Sequence, residues 1–176
     1  IGLVGDISRA IEKQLMNNGL CDKIVKALLE LLQNENLDRS VKPPVLGAFG
    51  DIGFGIGSNV TRYLGPIMNM MVQASQAAYD PNDVDEDTID FFMEMRIHIL
   101  DAYCCILQGL TDENGGGSPQ PFLLYLPSIF QFFKLIAHDS NSSTKCFVIV
   151  SSLIGDIISY FPSQTKTLAS QDQQLQ

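Results

Sequence analysis

Four aspartates have a spacing that suggests work beyond folding: Asp6, Asp51, Asp101 and Asp156. Three stand in near-copies of one hexapeptide, Gly2-Leu3-Val4-Gly5-Asp6-Ile7, Gly47-Ala48-Phe49-Gly50-Asp51-Ile52 and Ser152-Leu153-Ile154-Gly155-Asp156-Ile157. The fourth stands in a looser copy, Ile99-Leu100-Asp101-Ala102-Tyr103, and the successive intervals are 45, 50 and 55 residues. Acids repeated at the period of a structural unit come side by side when the units stack. A row of carboxylates then steers a Lys/Arg-rich partner onto itself and adds up many weak pairs. Each exposed pair contributes roughly 0.2–1 kcal/mol, so affinity grows with the number of units engaged. Arg9 and Gln108 are the polar neighbours expected beside this row.

Bond-making chemistry has no comparable signal. His98 and His138 are the two histidines, and neither accompanies a recognisable nucleophile motif. Gly53-Phe54-Gly55-Ile56-Gly57 follows no strand and lacks the lysine and hydroxyl of a phosphate loop, so its glycines point to close helix packing. Asp83, Asp85 and Asp87 echo a calcium loop without its glycine or its spacing, and the surrounding acids are more simply a charged loop preceding a helix. Cys21, Cys104, Cys105 and Cys146 lie in apolar helical patterns with no CxxC pair, which points to free thiols in a reducing compartment. Asn59-Val60-Thr61 and Asn141-Ser142-Ser143 match the glycosylation triplet, which matters only in a secreted protein. No catalytic residue, cofactor or metal is expected.

The elements that must position the aspartates are helices throughout. Leu3, Val4, Ile7 and Ile11 mark a first amphipathic stripe that ends at Asn17-Asn18-Gly19. A second helix runs from Asp22 to Asn34, with Ile24, Val25, Leu28, Leu29, Leu31 and Leu32 inward. Asp38 or Ser40 caps a third, which carries Pro43 and Pro44 in its first turn and buries Val45, Leu46, Phe49, Ile52 and Ile56. A fourth spans Arg62 to Ala78, burying Leu64, Ile67, Met68, Met71 and Val72. The longest runs from Thr88 to Leu110, and Thr111 to Pro119 is the clearest linker. A sixth helix, Phe122 to Ala137, restarts at Pro127, and its Phe122, Tyr125, Phe130, Phe132 and Phe133 read as core, with a pocket for Phe-Gly segments between outer helices as the other reading. Ser143 or Thr144 caps a seventh, which packs through Val148, Ile149, Leu153, Ile154, Ile157 and Phe161 and stops at Pro162. These helices predict an all-α solenoid of HEAT type, about three and a half antiparallel pairs over residues 1–162, because self-similarity near 45 residues with two helices per unit is the mark of such arrays. Residues 163–176 are a polar tail, either the start of another helix or frayed. The glycine-bearing helix is the second member of each pair, which sets the four aspartates on one surface.

Composition limits the partners. The chain has 176 residues and a formal net charge of -9, from 20 acidic and 11 basic side chains. That balance argues against nucleic acid, whose phosphates need a basic footprint, and fits a basic protein ligand. The most apolar stretch, Pro121 to Ile136, is interrupted by Pro127, Ser128, Gln131 and Lys134, so no membrane span is expected. The sequence opens on Ile1 with a helical pattern already under way and no polar cap, as expected of a piece of a longer array.

Gly2-Leu3-Val4-Gly5-Asp6-Ile7, Asn34-Glu35-Asn36, Arg39-Ser40-Val41-Lys42-Pro43, Phe49-Gly50-Asp51-Ile52, Gln73-Ala74-Ser75-Gln76-Ala77 and Leu153-Ile154-Gly155-Asp156-Ile157 resemble, in this order, the C-terminal HEAT repeats of the importin-beta family. The resemblance runs from Gly2 to Phe161 and departs at the loop Glu113 to Ser118 and in the tail. It implies a nuclear import receptor acting between cytoplasm and nucleus at the pore. In that family the concave surface holds the basic segment of importin-alpha or cargo directly, the GTPase Ran releases it, and outer pockets take Phe-Gly nucleoporins. It also implies that much of the Ran surface lies in earlier repeats that this chain lacks. The alternative is a HEAT scaffold or adaptor that assembles a complex unrelated to transport.

Overall fold

A computed structural model describes residues 19–80, 85–111 and 117–173. The first predicted helix, with Asp6 and Arg9, lies outside the described residues.

Among the described residues there are seven α-helices and no strand. They are α1 (Leu20–Gln33), α2 (Lys42–Ile56), α3 (Leu64–Ser75), α4 (Glu86–Leu110), α5 (Leu126–His138), α6 (Thr144–Tyr160) and α7 (Pro162–Gln173). Short 3-10 segments, Arg39–Val41, Gly57–Arg62 and Gln120–Tyr125, lead out of or into them. Local chemistry sets the ends. Asp38 accepts from the Ser40 N–H at 2.9 Å ahead of α2, Asp85 accepts from Thr88 N–H at 2.7 Å to cap α4, and Ser143 accepts from Cys146 N–H at 3.3 Å to cap α6. The carboxyl of Asp85 is held below its ordinary value by these bonds from Thr88, so this acid of the charged loop serves as a helix cap. Gly57 closes α2 at φ 58°, a conformation that L side chains rarely adopt.

Most helix ends fall within two residues of the sequence reading, and the fourth helix departs most. The expected fourth helix is shorter at both ends: it begins at Leu64, after residues 57–62 tighten into a 3-10 segment, and ends at Ser75. The sixth does restart at Pro127, as a 3-10 segment followed by α5 with proline in its first turn.

The helices form two layers. α2, α4 and α6 contact one another in succession, as do α1, α3 and α5 on the other side, while α1 with α2, α3 with α4 and α5 with α6 join the layers. α7 packs on α6. Between the layers lie Leu46, Phe49 and Ile52 of α2, Ile67, Met68 and Met71 of α3, Ile99, Tyr103 and Ile106 of α4, and Ile129 and Ile136 of α5, all buried. Phe122, Phe132 and Phe133 are core residues, as read from the sequence. Val148 and Val72 were expected inward. Val148 is 62% exposed, because the buried face of α6 is that of Cys146, Leu153 and Ile157, and Val72 is only half-buried.

The most extensive helix contact is between α2 and α4, and glycine makes it possible. A Cβ on Gly50 would stand 2.6 Å from the Ala102 Cα, and one on Gly53 would stand 2.8 Å from Ile106 Cγ1. Gly47 faces His98 in the same way. The order 47, 50, 53 against 98, 102, 106 shows that the two helices run parallel, offset by about 52 residues. The weak helix propensity of these glycines is thus offset by backbone contact that any side chain would prevent.

Candidate functional site

The parallel register carries Asp51 and Asp101 to the same edge of the α2–α4 seam. Both line one cleft of about 230 Å3, together with Pro44, Gly47, Ala48, His98 and Cys105. The lining is periodic on each helix: 44, 47, 48 and 51 share a face of α2, and 98, 101 and 105 share a face of α4. Asp156 lies on α6, which packs against α4. Asp101 and Asp156 both act on the thiol of Cys104, whose ionisation is pushed up to about 12, first by burial and then by Cys105 and these two carboxylates. Two of the four predicted aspartates, Asp51 and Asp101, thus line one cleft, and Asp156 of α6 acts with Asp101 on the same thiol.

Asp101 sits among charged and titratable neighbours on α4 and α6. Partial burial raises its carboxyl above the ordinary value, and Lys145 at the start of α6 and His98 one turn away act in the opposite direction. Gln108 is exposed two turns beyond Asp101 on the same face of α4. Sequence reasoning passed over His98 and Cys105 as members of this site. Their separation of three and four residues from Asp101 was the available signal, since those positions share its helix face. His98 turns the Nδ1 edge of its ring onto α2, so that a Cβ on Gly47 would stand 2.6 Å from Nδ1 but 3.4 Å from Cε1 and 3.5 Å from Cγ, and its Nε2 is 3.9 Å from Glu94.

A second polar cluster is structural. The buried guanidinium of Arg96 pairs with Asp139, which also accepts from Tyr79 Oη at 2.6 Å and from the Asn141 N–H at 2.9 Å. Burial opposes ionisation of Asp139, but these bonds from Tyr79, Asn141 and Arg96 hold it below its usual range. On the other layer, α1 and α3 flank an apolar groove of about 470 Å3 whose walls include Leu32, Met70, Ala74, Phe91 and Met95.

Among the described residues no group of three or more His, Cys, Asp or Glu side chains could hold a metal ion, and no helix is long and apolar enough to cross a membrane.

Residues 1–175 match the family model for importin subunit beta-1-like proteins, a model described by its TPR repeats. The chain belongs to the importin-beta family. It is 33% identical over 162 residues to importin subunit beta-1 of Schizosaccharomyces pombe, and 32% identical over 166 residues to that of Saccharomyces cerevisiae. Each alignment covers 92% of this chain and 18% of the relative, so the chain spans about a fifth of the length of the importins it matches. Solved importin structures superpose on the same 92%. One, in which Kap95p binding induces the switch loops of RanGDP to adopt the GTP-bound conformation, gives a TM-score of 0.79 at 31% identity. A Kap95:Nup1 complex gives 0.76 at 32%, and each covers 18% of the solved chain. These neighbours establish the importin-beta HEAT solenoid as the fold. The offset of about 52 residues between α2 and α4 is also well beyond the 34-residue unit of a tetratricopeptide repeat.

Proposed function

We propose that this importin-beta chain serves nuclear protein import by holding a basic, importin-alpha-type segment or basic cargo against the row Asp51, Asp101 and Asp156. The observation that carries this reading is that Asp51 and Asp101 line one cleft, while Asp156 acts with Asp101 on Cys104, in a chain of net charge -9. Carboxylates at successive helices match a Lys/Arg-rich helix whose charges recur along its length. Asp6 and Arg9 belong to the same proposal as its continuation toward the N-terminus, and Gln108 as a hydrogen-bonding neighbour.

The groove beside Leu32, Met70 and Phe91 supports a second contact, for a Phe-Gly nucleoporin segment, because aliphatic and aromatic side chains make up most of its lining, with Gln33, Lys42 and Gln73 among them. Ran engagement is proposed for the full-length receptor, since neighbours of this chain were solved with Ran and with Nup1. The receptor would work in cytoplasm and nucleus and at the nuclear pore.

Titration with a basic importin-alpha-type peptide at low and at physiological salt tests the proposal. Binding should weaken with salt, and the triple variant Asp51→Asn, Asp101→Asn, Asp156→Asn should lose about tenfold in affinity at unchanged helicity. Equal binding by the variant would reject the row. Failure of any basic peptide to bind, with a stable complex recovered on other proteins, would favour the scaffold reading.

A further inference from the structure

The cleft between α2 and α4 contains more than two carboxylates. It is lined by the imidazole of His98, whose Nδ1 edge stands against the bare backbone of Gly47, by Pro44 and Ala48, and by Asp51 and Asp101. We propose that this cleft takes one arginine side chain of the bound segment, in preference to lysine, and that His98 sets the preference. The inference rests on the basic-segment reading above and adds the identity of the residue recognised.

The chemistry separates the two cations. At about 230 Å3 the cleft holds one long side chain, whose methylene stem finds Pro44 and Ala48. A guanidinium is planar and weakly hydrated, so it stacks on an aromatic ring while its fork of N–H groups donates to flanking carboxylates. An ammonium is compact, strongly hydrated and has no face to stack. Gly47 is what permits the ring to lie there: a Cβ would meet Nδ1 at 2.6 Å and force the imidazole away from α2. The charged groups around the cleft are Asp51 on α2, Glu94 and Asp101 on α4, and Lys145 on α6. Three acids against one base leave it receptive to a cation.

The test uses the 176-residue chain and two peptides of equal length and charge, one with arginine at every cationic position and one with lysine, titrated by fluorescence anisotropy at physiological salt. The arginine peptide should bind about fivefold more tightly. His98→Ala should abolish that ratio, and His98→Phe, which restores a flat ring, should retain it. Asp156→Asn, outside the cleft, should weaken both peptides alike and leave the ratio intact. Equal affinity of the two peptides for the native chain, or a ratio unchanged in His98→Ala, overturns the arginine slot while leaving the basic-segment reading standing. Absence of binding by both peptides overturns that reading and the slot with it.

Discussion

Asp101 carries opposed demands. Its partial burial disfavours the charged form that a cationic partner needs, and Lys145 and His98 only partly compensate. Because its folded value is raised above the unfolded one, protonation on lowering the pH favours the folded chain while it discharges the binding row. Peptide affinity should therefore begin to fall at a pH above the ordinary carboxylate range near 4, and the decline should start lower in Asp101→Asn, where only the remaining acids titrate. The same variant should unfold at an unchanged or higher temperature, since it removes a desolvated charge while it weakens binding. Parallel thermal melts and titrations separate the two effects. Lys145→Gln should do the reverse for affinity, raising it about twofold by removing the cation nearest Asp101, as salt-dependent titration would show.

The glycines of α2 and α6 stand in equivalent places in the repeat but in different surroundings. Gly50 meets Ala102 of α4, whereas a Cβ on Gly155 would find nothing within 4 Å. Gly50→Ala should destabilise by about 1–3 kcal/mol, because α2 and α4 must separate to accept a methyl against backbone. Gly155→Ala should stabilise by about 0.5–1 kcal/mol through helix propensity alone. Urea denaturation of the pair checks both signs, and a loss of stability in Gly155→Ala would mean that α6 is packed on that face.

Neighbouring units are tied by the network of Tyr79, Arg96, Asp139 and Asn141, which joins the segment after α3, the first half of α4 and the turn after α5. Asp139→Asn leaves a buried guanidinium without its counter-charge, at a cost of about 3–5 kcal/mol at neutral pH. The folded value of Asp139 is depressed, so its contribution is present above the unfolded value near 3.9 and is lost as the pH falls through the folded one. The stabilities of the native chain and the variant should thus converge below about pH 4. A constant gap across that range, measured by denaturant titration, would show that the pair contributes through shape and not charge.

Sequence periodicity determined the helices, their apolar faces and the recurrence of an aspartate in each unit, because these depend on spacing of 3.6 residues along a helix and about 50 along the chain. It also contained the resemblance that placed the chain in its family. The tertiary structure decided which aspartates share a cleft, since that follows from the parallel register that Gly47, Gly50 and Gly53 impose on α2 against α4. It also decided that His98 lines the cleft, that Asp85 is a cap, and that Arg96 and Asp139 meet across 43 residues. Such pairings join residues far apart in the chain, and the energy that selects them, close packing and desolvation, exists only once the helices have stacked.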